Sequence, residues 1–95
     1  MYVNILTFII NEKEGLSSNE LSMLEDNLTT KPKGMDRFHV FKDNKVENLF
    51  YLIEYWRSKD FQVNMEVSKR YPIFNKIHEI SKELRFKKIE CDIVI

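Results

Sequence analysis

The chain has 95 residues, 43% of them hydrophobic and 13% aromatic, with 15 Lys plus Arg against 15 Asp plus Glu. That length suits one domain spanning 1–95, with a limited core that buries roughly 60–65% of the unfolded surface. The balanced charge argues against nucleic acid or an anionic membrane as partner, and the single cysteine, Cys91, excludes an intrachain disulfide and fits a reducing cytoplasm.

Val3 to Ile10 is apolar on nearly every position, which predicts a strand buried on both faces. Its run Ile5–Ile10 is too short for a bilayer span, which takes about 20 residues. The preceding Met1-Tyr2-Val3-Asn4 lacks the basic region of a signal peptide, so a cytoplasmic location is expected. Ser17 and Glu20 have the spacing of a capping box, and Leu21, Leu24 and Leu28 then share one helix face with Met23 beside them. Asn27-Leu28-Thr29 matches a glycosylation acceptor, read as chance in a chain without a secretion signal. Lys31-Pro32-Lys33-Gly34 ends this helix.

Arg37 to Lys42 alternates as a second strand, Asp43-Asn44-Lys45 turns, and Asn48 to Trp56 forms a third. Leu49, Tyr51, Ile53 and Tyr55 occupy one face of the third strand; Phe50, Leu52, Glu54 and Trp56 occupy the other. Ser58 can cap a short helix over Lys59 to Glu66. Pro72 suits the first turn of a further helix, whose stripe is Ile73, Phe74, Ile77, Ile80 and Leu84. The run Arg85, Lys87, Lys88 reads as a solvated helix end, and Ile89 to Ile95 alternates as the last strand.

The order is strand, helix, strand, strand, helix, strand. This predicts an α+β, ferredoxin-like βαββαβ fold with a four-stranded antiparallel sheet. Helices on one face would leave the other face wet, yet the first and third strands are apolar there as well. A second copy of the sheet is the simplest cover, so a homodimer is expected.

Several side chains are candidates for chemistry. Glu54 is the one charge in an apolar strand and needs a partner, which Arg37 or His39 on the neighbouring strand, or a group across the dimer, can supply; the alternative is a catalytic base. His39 and His78 are the candidate proton acceptors. Trp56 either walls a pocket or packs in the core. Tyr51, Tyr55 and Tyr71 can donate hydrogen bonds to a ligand or line an interface. Met65 and Met23 are core or pocket fillers. With two separated histidines and one cysteine, no metal site is expected. Two glycines, Gly15 and Gly34, leave no phosphate loop, and there is no Gly-x-Ser-x-Gly elbow.

The loop Lys31–Gly34, the strand ending Phe38-His39-Val40-Phe41-Lys42-Asp43, and the segment Glu54-Tyr55-Trp56-Arg57-Ser58 together resemble the antibiotic biosynthesis monooxygenase domain over nearly the whole chain. The resemblance implies a dimeric α/β barrel that oxygenates a phenol or dihydroquinone without metal, flavin or other cofactor. Such chemistry needs an aromatic pocket and a proton acceptor; the candidates in this chain are Trp56, Tyr71, Met65, Phe74 and Tyr51 for the pocket and His78 or His39 for the proton. The family's usual histidine eleven residues after the Glu of Glu-x-Trp is Met65 here. Thr7, Met65 and Asn75 stand where the haem-degrading branch carries Asn, Trp and His, which argues against haem degradation. The alternative is a non-catalytic homodimer that binds a small hydrophobic ligand or a protein.

Overall fold

The computed structural model describes residues 1–11, 13, 15–26, 31–68 and 70–95. Leu28 and the Asn27-Leu28-Thr29 acceptor lie outside them. The elements in chain order are β1 (Tyr2–Ile9), α1 (Ser18–Asp26), β2 (Met35–Lys42), β3 (Leu49–Trp56), α2 (Lys59–Ser68), α3 (Pro72–Glu83) and β4 (Ile89–Asp92). The expected α+β, ferredoxin-like arrangement is present as a four-stranded antiparallel sheet in the order β2-β3-β1-β4.

Two apolar strands with opposite direction make the middle of this sheet. Tyr2, Asn4, Leu6 and Phe8 of β1 lie opposite Trp56, Glu54, Leu52 and Phe50 of β3. These side chains face the helices, where Leu24, Met65, Phe74, Ile77 and Ile80 complete one core with them. Phe8 stacks on Phe50 with ring centres 5.7 Å apart, and Phe38 meets Phe74 edge-on at 5.2 Å. Burying each such ring or leucine stabilises the domain by about 1.5–3 kcal/mol.

The capping box forms as expected. Ser17 Oγ accepts from Glu20 N–H at 3.1 Å, and Glu20 Oε1 accepts from Ser17 N–H at 3.3 Å. In α3, Phe74, Ile77, His78 and Ser81 repeat at helical spacing and are all buried. That spacing carries His78 to the core side. The expected stripe stops at Ile80, because Leu84 is already the C-cap and is 46% exposed. The last strand is also shorter than expected. Its pairing with β1 ends at Asp92 opposite Tyr2, where β1 itself begins, and the residues beyond are exposed.

The alternate positions of the strands form a second face. It carries Val3, Ile5 and Thr7 of β1, Tyr51, Ile53 and Tyr55 of β3, and Arg37, His39 and Phe41 of β2. No described helix contributes to it.

Candidate functional site

Two places hold the chemistry of this chain. One is a buried polar cluster between the sheet and the α2–α3 pair. The other is a pair of clefts at the start of α3.

The cluster centres on Glu54, whose side chain is wholly buried because its even position on β3 points at the helices. Both Glu54 oxygens lie close to His78 Nε2, at 3.1 and 3.0 Å. Trp56 Nε1 donates to Glu54 Oε1 at 3.2 Å, and Asn4 Nδ2 donates to it at 3.4 Å. On the other side of the ring, His78 Nδ1 and Glu66 Oε1 are an ion pair at 2.8 Å, without the direction of a good hydrogen bond. Lys88 and Lys82 approach Glu66 at 3.7 and 3.9 Å. Lys88 also donates to Gln62 Oε1 at 3.4 Å.

Burial alone pulls the His78 pKa down. The Glu54 and Glu66 carboxylates close to its two nitrogens more than offset this and hold it above the ordinary histidine value. Glu66 is held down to about 2, chiefly by its bond to His78, against the effect of its own burial. His78 thus has a carboxylate beside each ring nitrogen, an arrangement that favours its protonated form. A ring held between two carboxylates is fixed in position.

The partner expected for Glu54 is thus corrected. Arg37 and His39 sit on the opposite face of the sheet, across from Tyr55 and Ile53. Arg37 lies over the Tyr55 ring at 4.3 Å, and His39 meets that ring edge-on at 5.7 Å. Tyr51 shares that second face. Its hydroxyl donates to Asp43 Oδ2 at 2.5 Å, which raises the Tyr51 pKa and lowers that of Asp43. Trp56 is fully buried in the core.

The larger cleft, of about 540 Å³, lies between α1 and the start of α3. Leu24 and Met23 face Tyr71, Ile73 and Phe74 across it, and Glu20, Arg70 and Lys76 bring charge to its rim. Lys76 Nζ donates to both Glu20 oxygens, at 3.1 and 2.9 Å. That contact first, and the Ser17 N–H second, hold Glu20 below the usual carboxylate range. The smaller cleft, of about 210 Å³, lies between Pro32–Lys33 and α2, where Phe61, Met65 and Ser68 line it. Arg70 and Tyr71 belong to both clefts.

Of the expected substrate-binding residues, Tyr71, Phe74 and Met65 therefore line clefts. His78, His39, Trp56 and Tyr51 line neither. Glu66 and Gln62 are not among the residues the sequence singles out, and Lys88, expected at a solvated helix end, lies beyond α3 and reaches Glu66 and Gln62 instead. The spacing of Gln62, Met65 and Glu66 on one face of α2 was the available signal. Among the described residues, no three His, Cys, Asp or Glu side chains are grouped to hold a metal ion. None of their helices is long and apolar enough to cross a membrane.

Solved structures share this fold. A Deinococcus radiodurans protein proposed to be an antibiotic biosynthesis monooxygenase aligns with a TM-score of 0.64 and 15% identity, over 100% of this chain and 94% of its own. A second antibiotic biosynthesis monooxygenase aligns at 0.62 and 17%, over 100% of both chains. An asparagine-to-alanine variant of SnoaB, a cofactor-independent oxygenase from Streptomyces nogalater, aligns at 0.59 and 12%, over 99% of this chain and 91% of its own. No protein-family model and no curated protein matches the chain. The fold is that of the antibiotic biosynthesis monooxygenase structures.

Proposed function

We propose that this protein is a cofactor-independent monooxygenase that acts on a small aromatic substrate, a phenol or dihydroquinone, in the cleft between α1 and α3. The observation that supports it is the composition of that cleft: Tyr71 and Phe74 beside Leu24, with Arg70 and Lys76 at the rim. Apolar walls suit a flat ring, and Arg70, beside the Lys76–Glu20 pair, favours a phenolate over the neutral phenol. The deprotonated substrate then supplies electrons to oxygen itself. The protein's part is to bind the anion, orient it with the Tyr71 hydroxyl and limit water at the ring. Glu20 is a weak base in this setting, so the reading favours substrates acidic enough to arrive partly ionised.

The test is oxygen uptake with a panel of dihydroquinones. Turnover above each compound's autoxidation is expected, with a loss of about tenfold or more in kcat/KM for Phe74→Ala. Uptake no faster than autoxidation across the panel overturns the reading. A second reading is a homodimeric module that binds a small hydrophobic ligand without converting it. The sealed state of His78 between two carboxylates supports that one. Saturable binding of a panel compound without oxygen uptake would select it. A cytoplasmic location, with Cys91 reduced and exposed, completes the proposal.

A further inference from the structure

We propose that Glu54, His78 and Glu66 form a proton-dependent latch, in which one proton on His78 holds α2 and α3 against β3. The three groups come from three elements, Glu54 from β3, Glu66 from α2 and His78 from α3. The imidazolium is the group they share, and its contacts run at 3.0 Å to Glu54 and 2.8 Å to Glu66.

The two carboxylates are not equivalent. Glu66 is partly exposed and has two further cations near it, Lys88 at 3.7 Å and Lys82 at 3.9 Å. Glu54 has no exposure, and among the described residues His78 is its one cation. Its other partners, Trp56 and Asn4, are neutral. The remaining charged or titratable groups around the cluster are Tyr2 on β1, which donates to Glu90, and Glu90 on β4, which lies 4.0 Å from Lys88. Neither supplies a positive charge to Glu54.

Loss of the His78 proton therefore weighs most on Glu54. A neutral imidazole keeps one N–H and can serve one carboxylate; its other nitrogen then turns a lone pair toward a carboxylate. Both carboxylates lose the His78 charge and one of them also loses its donor; Glu66 keeps Lys88 and Lys82, whereas Glu54 keeps no cation among the described residues. A buried carboxylate without a partner is strongly disfavoured, so the α2–α3 pair loosens from the sheet.

The direction with pH follows from linkage. The folded state binds the His78 proton more tightly than the unfolded chain does. The latch is thus fully formed below the unfolded histidine value, about 6.5, and is lost as pH rises through the folded pKa. Glu66 acts at the other end: its contribution is lost as pH falls toward about 2.

The experiment is a ring-nitrogen NMR titration of the His39→Asn protein, in which His78 is the sole imidazole, with urea midpoints and amide-exchange protection measured over the same pH range. The expected result is a midpoint above about 6.5, a urea midpoint that falls across that interval, and protection lost in α2 and α3 before β1 and β3. Glu66→Gln should move the titration and the stability loss together to lower pH. A His78 midpoint at or below about 6.5 overturns the proposal. So does a stability profile flat across the titration, or a Glu66→Gln protein that matches its parent in both. The oxygenase reading stands or falls independently of these outcomes.

Discussion

Three side chains converge on the Glu54 carboxylate, and each is supplied by a different part of the chain. Trp56 is the most informative of them because it serves two purposes. Its ring fills the core, while its N–H satisfies a buried oxygen. Trp56→Phe keeps an aromatic ring but removes the donor and some volume. A loss of about 2 kcal/mol in unfolding free energy is expected, by urea denaturation followed by circular dichroism. A loss under about 0.5 kcal/mol would show that the indole N–H contributes nothing to Glu54. The need of Glu54 for a partner was legible from one charge in an apolar strand. The identity of the partner was not. Alternation places Glu54 and Trp56 on one face, but it does not say which face meets the helices or which helix residue arrives there. Arg37 and His39 are near in the sheet and yet point away, because β2 residues opposite odd positions of β3 share their side.

Among elements, the junction before β2 shows how one residue seats a helix. Gly34 has φ +85°, and an added Cβ would lie 2.1 Å from Phe61 Cγ of α2. Its carbonyl accepts from Arg57 N–H at 2.9 Å just after β3, so the backbone there is held on both sides. Gly34→Ala is expected to cost about 1–3 kcal/mol and to lower the thermal midpoint by several degrees, read by calorimetry. A midpoint unchanged within a degree would show that α2 shifts freely. The sequence marked Gly34 as a helix stop, which is local chemistry. Its close approach to Phe61 is a long-range contact that no local pattern contains. Helix positions were legible wherever spacing and caps agreed, as at Ser17–Glu20 and along Phe74, Ile77 and Ile80. They were less so at Leu84 and the end of β4, where the limits are set by packing and by the length of the neighbouring strand.

For the whole molecule, the second face of the sheet poses the main question. Val3, Ile5, Ile53 and Tyr55 occupy its middle, and Phe41 and Ile89 are about half exposed toward its edges. A contiguous apolar surface of this kind marks an interaction site. We propose that a second copy covers it, because the described helices pack on the opposite face alone. Light scattering at micromolar concentration should return twice the chain mass. Ile53→Lys, which sets a charge between Ile5 and His39 in the register, should weaken association at least tenfold while the circular dichroism spectrum is kept. A monomer mass for the unmodified chain at that concentration would exclude the pairing.

The sequence by itself determined the element order, the sheet with two apolar faces and the aromatic residues beside the start of α3. These follow from period-two and helical spacing, which are properties of neighbouring residues. Tertiary structure alone decided that His78 lies between Glu54 and Glu66, and that Tyr71 with Phe74, rather than Trp56 with Tyr51, lines the cleft. Those outcomes depend on which helix crosses which strand. In a chain with two histidines and no metal spacing, no local signal encodes that. The buried charge of Glu54 could be read from one strand; the imidazole that meets it comes from a helix 24 residues further on.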